Sequence, residues 1–294
     1  VKLSPSSGLT ESSTVGCLVS GASDADPTDK VSITYDWAIN GKRIGVNASS
    51  ITGAYFNKGD FVGCYAKPYD GIEFGSELAT GTTSIGNTAP SISKVSISGM
   101  AKGRLVPGVT YTCSASASDI DPTDSPKVAY AWKYGSSVLS TSATHTVSAK
   151  YRGLSLTCEA TASDGSATAS GTASGVVNSL PSTPRLAFTP SAPKSSDDLV
   201  CTLSSGSTDA DKDAIAYSFV WYQNGSRYAG GTSTKTYAGD TIPSKYTLGS
   251  DKFECRVTPN DSYENGTTAS ATVSITESCV VTMTFEQYDT AKKA

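Results

Sequence analysis

The sequence predicts an all-β protein made of three tandem β-sandwich domains, and three observations lead to this prediction. A cysteine, a tryptophan and a second cysteine recur three times in the same order. Apolar residues alternate along the segments that carry them, which is typical of strands buried on one face. Helical periodicity is essentially missing. A chain of 294 residues can hold two or three ordinary domains, and the repeat selects three.

The repeat has regular spacing. The first cysteine recurs after 96 and then 88 residues, and the interval from cysteine to tryptophan is 20, 19 and 20 residues. Between them lies an acidic loop, and an Asp-containing turn follows the second cysteine. We place the domains at 1–89, 90–183 and 184–277, separated by the proline-containing segments NTAP and SLPSTP, with a tail at 278–294. Proline stiffens such short connections, so we expect an elongated, semi-rigid array.

Each repeat is predicted to bury its cysteines and its tryptophan in one core. Side chains alternate strictly along a strand, and Val15, Cys17 and Val19 share a face, as do Ile33 and Trp37. A disulfide closing a loop of this length contributes up to about 4 kcal/mol in the chain-entropy model. The predicted core tryptophans are Trp37, Trp132 and Trp221, and the predicted disulfide cysteines are Cys17, Cys64, Cys113, Cys158, Cys201 and Cys255.

Composition excludes several classes of function. The net charge is −4 and no run of lysine and arginine is present, so a nucleic acid partner is not expected. No apolar run approaches the roughly 20 residues of a membrane span, and the chain opens on Val1 without an export signal, as a mature or excised segment would. The seven cysteines lack zinc-site spacing, which favours disulfides and an extracellular or cell-surface location.

The order of cysteine, core tryptophan and cysteine resembles the immunoglobulin pattern in all three repeats, up to Glu277. The cysteine-to-tryptophan interval is longer than in antibody domains, and Val62, Leu156 or Phe253 stands where a tyrosine corner would place tyrosine. The segment DADPTDKVSITYDWAING is similar to immunoglobulin-like, PKD-like and cadherin-like repeats of microbial surface proteins. This resemblance implies an adhesive, stalk or matrix role.

The acidic loops allow two interpretations. Three carboxylates within six residues could bind a hard cation such as calcium, with Asp70, Asp164 or Asp261 after the second cysteine completing the site. Alternatively, aspartate and proline simply form turns. The spacing excludes an EF-hand. The candidate calcium ligands are Asp24, Asp26, Asp29, Asp119, Asp121, Asp124, Asp209, Asp211 and Asp213.

Nothing in the sequence indicates an enzyme. His145 is the single histidine, which limits a catalytic triad to one domain, and no catalytic carboxylate pair or phosphate-binding glycine loop stands out. We expect a stalk, adhesin segment or surface-filament subunit that associates with itself or with other surface proteins. The alternatives are a carbohydrate- or protein-binding module, with glycans as ligands of tyrosines in the third repeat, or an accessory region of a larger secreted enzyme.

The tail differs from the repeats. Cys279, Val281, Met283 and Phe285 share one face of a predicted amphipathic strand, and Cys279 is left over after three disulfides. The strand could begin a truncated fourth repeat, extend the last strand of the third domain, or add to a sheet edge of a neighbouring molecule. Under the last interpretation these four residues make an intermolecular contact.

Overall fold

The computed structural model describes residues 1–26 and 28–277. Within these ranges every regular element is a β-strand except two short 3-10 turns at Ala149–Tyr151 and Ser244–Tyr246, so the prediction of tandem immunoglobulin-like β-sandwiches is confirmed. The predicted tail strand with Cys279, Val281, Met283 and Phe285 lies outside the described residues.

The first sandwich packs a sheet of order β1-β2-β5 against a sheet in which β4, β3, β6 and β7 are neighbours and β8 also pairs with β6. All pairings in both sheets are antiparallel. The strands are β1 (Lys2–Ser4), β2 (Thr14–Leu18), β3 (Ser32–Ile39), β4 (Lys42–Arg43), β5 (Ser50–Thr52), β6 (Phe61–Tyr69), β7 (Leu78–Ala79) and β8 (Thr83–Ser84).

The second sandwich has a sheet of order β14-β11-β9 facing a sheet in which β16, β15, β12 and β13 are neighbours. The last two residues of β16 pair in parallel with β10. The strands are β9 (Ser91–Ser98), β10 (Arg104–Leu105), β11 (Thr110–Ser118), β12 (Lys127–Tyr134), β13 (Ser137–Ser140), β14 (Thr144–Thr146), β15 (Ser155–Ser163) and β16 (Thr168–Val177).

The third sandwich repeats this plan with sheets of order β17-β18-β21 and β20-β19-β22-β23. A loop between β20 and β21 accounts for its longer interval between cysteines. The strands are β17 (Arg185–Thr189), β18 (Leu199–Ser205), β19 (Ala216–Gln223), β20 (Ser226–Arg227), β21 (Thr241–Ile242), β22 (Lys252–Asn260) and β23 (Ala269–Ser274).

A disulfide and a tryptophan occupy the core of each sandwich. The disulfides join Cys17 to Cys64, Cys113 to Cys158 and Cys201 to Cys255. Each tryptophan lies directly opposite the second cysteine of its own pair on the neighbouring strand and is at most 3% exposed. Its indole N–H donates to a backbone carbonyl, which satisfies the one polar group it buries. The tryptophans are Trp37, Trp132 and Trp221.

The chain divides into two compact units, and the division runs through the second sandwich. Three segments of that sandwich, which hydrogen-bond to one another, belong with the third sandwich. The domain ranges 1–89, 90–183 and 184–277 therefore remain a prediction. The first unit comprises Val1–Gly103, Thr110–Thr146 and Ser155–Gly175, and the second comprises Arg104–Val109, Val147–Leu154 and the chain from Val176.

Candidate functional site

The three acidic loops form the same turn. In each loop the first aspartate accepts a hydrogen bond from the backbone N–H two residues on, at 2.7, 3.0 and 2.8 Å. This is the self-capping behaviour that favours aspartate in turns. It engages one carboxylate oxygen and leaves the other available. The three first aspartates are Asp24, Asp119 and Asp209.

In the second repeat the loop forms a compact carboxylate cluster. One oxygen from each of Asp119, Asp121 and Asp124 lies within 4.8 Å of the others. Asp121 is fully buried, and its Oδ2 accepts a hydrogen bond of 2.8 Å from the backbone N–H of Thr88. Asp121 Oδ1, Asp119 Oδ2 and the Thr88 hydroxyl are buried without a hydrogen-bond partner. Buried carboxylate oxygens are ordinarily paired, so this cluster favours a bound cation.

The linker holds this cluster against the first sandwich. Asn87 Nδ2 donates to Asp164 Oδ2 at 2.9 Å, and Lys58 Nζ donates to Asp124 Oδ2 at 2.8 Å and to Asn87 Oδ1 at 2.5 Å. Hydrogen bonds from the backbone of Ala167, from Asn87 and from the backbone of Ser166 lower the pKa of Asp164 to about 2. The hydrogen bond to Asp124 raises the pKa of Lys58. We call this set the first joint: Lys58, Asn87, Thr88, Asp119, Asp121, Asp124 and Asp164.

The second joint lies in the second unit and repeats the hydrogen bonds that the first joint makes between linker and carboxylates. Asn178 Nδ2 donates to Asp261 Oδ2 at 3.0 Å, and the backbone N–H of Ser179 donates to Asp211 Oδ2 at 2.6 Å. Asn178 and Asp261 are both essentially fully buried. One oxygen from each aspartate of the loop again lies within 4.8 Å of the others. We call this set the second joint: Arg104, Arg152, Asn178, Ser179, Asp209, Asp211, Asp213, Asp261 and Glu264.

Two arginines supply the positive charge of the second joint. Arg104 lies 3.4 Å from Asp211 Oδ1 through Nη1 and 3.2 Å from Asp213 Oδ2 through Nε, and its Nη2 donates to the backbone carbonyl of Asp211 at 2.9 Å. Arg152 makes a bidentate pair with Glu264 at 2.6 and 2.8 Å. This pair lowers the pKa of Glu264 and raises the pKa of Arg152. Such forked pairs are the strongest hydrogen-bonded ion pairs in proteins.

The first acidic loop is not assembled in this way. Among the described residues, the carboxylate oxygens of this loop do not group within the 4.8 Å that joins the other two triplets. The aspartates concerned are Asp24, Asp26 and Asp29. Asp24 and Asp26 are exposed to solvent. Asp70, the counterpart of Asp164 and Asp261, caps its own turn by accepting from the backbone N–H groups of Ile72 and Glu73, and this lowers its pKa.

Apart from Asp164 and Asp261, the joint residues outside the acidic loops were not predicted from the sequence. The signal for them is a second repeat, N-T-A-P at 87–90 and N-S-L-P at 178–181, which places asparagine and then a small hydroxyl residue before proline. Its first two positions make the equivalent contacts to the carboxylates in the two joints. Lys58, Arg104 and Arg152 carry no comparable pattern, because they come from loops and strand ends distant in sequence.

The tyrosines of the third sandwich pack largely against their neighbours. Tyr237 lies 5.3 Å from Tyr217 and 5.7 Å from Phe219 between ring centroids, and the Arg256 guanidinium lies 4.1 Å above the Tyr222 ring. These rings are therefore half-buried packing groups. The single histidine, His145, is also half-buried, stacks on Trp132 at 5.5 Å, and has its pKa lowered by burial.

Comparisons with known proteins do not assign this chain to a family. No protein-family model matches the sequence, and no curated protein matches it. The structure resembles the three N-terminal domains of the highly immunogenic outer capsid protein of bacteriophage RB49, at a TM-score of 0.43 and 13% identity over 90% of this chain and 94% of the other. It also resembles domains A168-A170 of titin, at a TM-score of 0.38 and 14% identity over 92% and 96%.

A third similar structure is the Ca2+-stabilised adhesin with which an Antarctic bacterium binds ice, at a TM-score of 0.41 and 14% identity over 92% of this chain and 69% of that one. At these identities the likeness is limited to tandem sandwich domains of the immunoglobulin or fibronectin type. Within the described residues, no helix is long and apolar enough to cross a membrane.

Proposed function

We propose that this chain is a non-enzymatic extracellular building block, such as a stalk, an adhesin segment or a surface-filament subunit, whose first joint binds a calcium ion. The observation that carries the proposal is the fully buried Asp121, which keeps one carboxylate oxygen unpaired beside two further aspartates. The repeated cores provide length, and the joint provides a fixed connection between the first sandwich and the linker.

The chemistry of the first joint suits a hard cation. Calcium binds about six to eight oxygen ligands and takes carboxylates in one- or two-oxygen mode. Asp119, Asp121 and Asp124 supply the carboxylates, and the buried Thr88 hydroxyl is a further unpaired oxygen. Lys58 is the single cationic group paired with this cluster among the described contacts, and it reaches only Asp124. The carboxylates therefore exceed the positive charge available to them.

The construction of the sandwiches supports an extracellular location. Three disulfides, one in each core, form and persist in oxidising compartments and are rare in reducing ones. Each disulfide bridges the two sheets of its own sandwich, so every domain has its own covalent cross-link. Domains stabilised in this way are suited to exposure outside the cell, where unfolding invites proteolysis.

Calcium binding is tested on the full chain by calorimetric melting in calcium and in EDTA. A ligand at 100 times its dissociation constant adds about 2.7 kcal/mol to the free energy of unfolding, so melting should shift upward in calcium. Asp121→Asn keeps an oxygen to accept from Thr88 but removes the charge, and it should abolish the shift. Asp24→Asn, in the unassembled first loop, is the matched control and should retain it. Equal melting temperatures in calcium and EDTA would exclude the ion.

The building-block role is tested separately by the assembly state of the full chain. Electron microscopy and light scattering at increasing concentration should show end-to-end association or filaments. A chain that stays monomeric at all concentrations and binds a specific glycan on an array would instead establish a binding module. Either result leaves the calcium measurement unaffected.

A further inference from the structure

The two joints have equivalent arrangements of carboxylates but differ in the basic side chains that pair with them. In the first sandwich, Leu9 forms a parallel bridge with Ile85, which precedes the linker. In the second, Leu105 pairs in parallel with Val177, which directly precedes the linker residue Asn178, whereas Gly86 lies between Ile85 and Asn87. By strand pairing, the residue before the leucine is Gly8 in the first sandwich and Arg104 in the second, so an arginine stands beside the linker only in the second.

Arg104 reaches the carboxylate oxygens that a cation would use. Its guanidinium pairs with Asp211 Oδ1, the counterpart of the unpaired Asp121 Oδ1 in the first joint, and with Asp213 Oδ2. The Arg104 side chain is 17% exposed and that of Asp211 only 7%, so the pair is well removed from solvent. Its third contact, to the backbone carbonyl of Asp211, fixes the orientation of the fork.

We infer that Arg104 takes the place of the metal ion at the second joint, so that of the two joints only the first binds a divalent cation. This inference deepens the proposed function and rests on it for the first joint. A divalent ion among Asp209, Asp211 and Asp213 would meet a permanently charged guanidinium at close range in a site of low dielectric constant. The second joint is thus a metal-independent version of the first.

Removing the arginine should create a second calcium site. The second joint retains the necessary oxygens, because Asp209 Oδ2 and Asn178 Oδ1 are already buried and unpaired, and the oxygens of Asp211 and Asp213 would be released. The first joint shows that the same linker hydrogen bonds form without an arginine paired to the loop carboxylates. Arg104→Ala is therefore the informative variant, and Arg104→Lys retains the charge as its control.

The test is calcium titration calorimetry on the full chain, after treatment with EDTA and dialysis. Asp121→Asn should show no measurable calcium binding at the joints, and Asp121→Asn combined with Arg104→Ala should regain binding of one ion. Arg104→Lys in the same background should show no gain. Hydrogen exchange of the peptide covering 176–182 should become slower in calcium only in the alanine variant, which places the new ion at the second joint.

Two results would overturn the inference. One is a folded Arg104→Ala variant with no gain in calcium binding, and the other is a wild-type chain whose second-joint peptide is already protected by calcium. If Arg104→Ala fails to fold, the wild-type exchange measurement still decides. Failure of calcium to bind the first joint would refute the proposed function, whereas the gain on removing Arg104 is measured in the Asp121→Asn background and is independent of it.

Discussion

The two joints are built from the same parts and differ in their counter-charge. Each places a linker asparagine on the aspartate of a turn and a backbone N–H on the central aspartate of an acidic loop. At the first joint a single lysine reaches one carboxylate, and two buried carboxylate oxygens and the Thr88 hydroxyl remain unpaired. At the second joint two arginines pair with Asp211, Asp213 and Glu264.

The comparison shows that the acidic loop does not by itself decide how its charge is neutralised. At the second joint the guanidinium of Arg104 covers Asp211 and Asp213, whereas at the first joint Lys58 pairs with Asp124 alone. The first acidic loop provides a third case. It forms the same turn, but Asp24 and Asp26 remain exposed, so water satisfies them and neither is a buried charge.

Arg152→Met should give the largest change between the joints. It removes a bidentate ion pair and the hydrogen bond to the backbone carbonyl of Asn178, and it leaves the partly buried Glu264 with only the Asn178 amide as partner. We expect the free energy of local opening at the second joint to fall by about 2 kcal/mol, as measured by native-state hydrogen exchange over 176–182. Lys58→Met is the counterpart at the first joint and should have the smaller effect, since lysine pairs at a single point. Equal effects would contradict the proposed difference.

The next largest effect is expected from the linker asparagines. Asn178 is fully buried and its amide serves both Asp261 and Glu264, so Asn178→Ala leaves a buried carboxylate short of a donor. The cost should be about 1–3 kcal/mol in the same exchange measurement. Asn87→Ala should cost less, because its partner Asp164 is only half-buried. A larger effect at Asn87 would show that the two frames are not equivalent.

Acid should weaken both joints, and this effect should be smaller than that of the substitutions at Arg152 and Asn178. The pKa of Asp164 is lowered to about 2 in the folded chain, against about 3.9 for a free aspartate. Its stabilising contribution is therefore present above the free value and is lost as the pH falls through the folded pKa. Asp164→Asn should remove this dependence at the first joint only, as followed by exchange protection corrected for the intrinsic rate. A first joint with unchanged acid sensitivity in the variant would refute the assignment.

The smallest effect is expected in the first acidic loop. Asp24→Asn retains a side-chain oxygen to accept from the Asp26 N–H, and Asp24 is exposed. Melting temperature and calcium stoichiometry should both match the wild type. A lost calcium ion would show that this loop binds metal despite its open arrangement.

The three sandwiches could be predicted from the sequence alone. Apolar alternation and the spacing of cysteine and tryptophan are local consequences of strand geometry, so they predict that Trp37 and Cys64 lie in one core. The turn in each acidic loop is equally local, because aspartate caps a backbone group two residues away. The linker repeat N-T-A-P and N-S-L-P was also present in the sequence, although only the contacts reveal its purpose.

Only the tertiary structure decided which carboxylates are buried and what neutralises them. Asp26 and Asp121 occupy the same place in nearly identical motifs, DADPTD and DIDPTD, yet one is exposed and the other fully buried. The difference arises because a linker packs on the second loop and because Lys58 approaches that loop from far away in the chain, as Arg104 approaches the third loop. Burial and charge pairing depend on such distant neighbours, and no spacing within the motif encodes them.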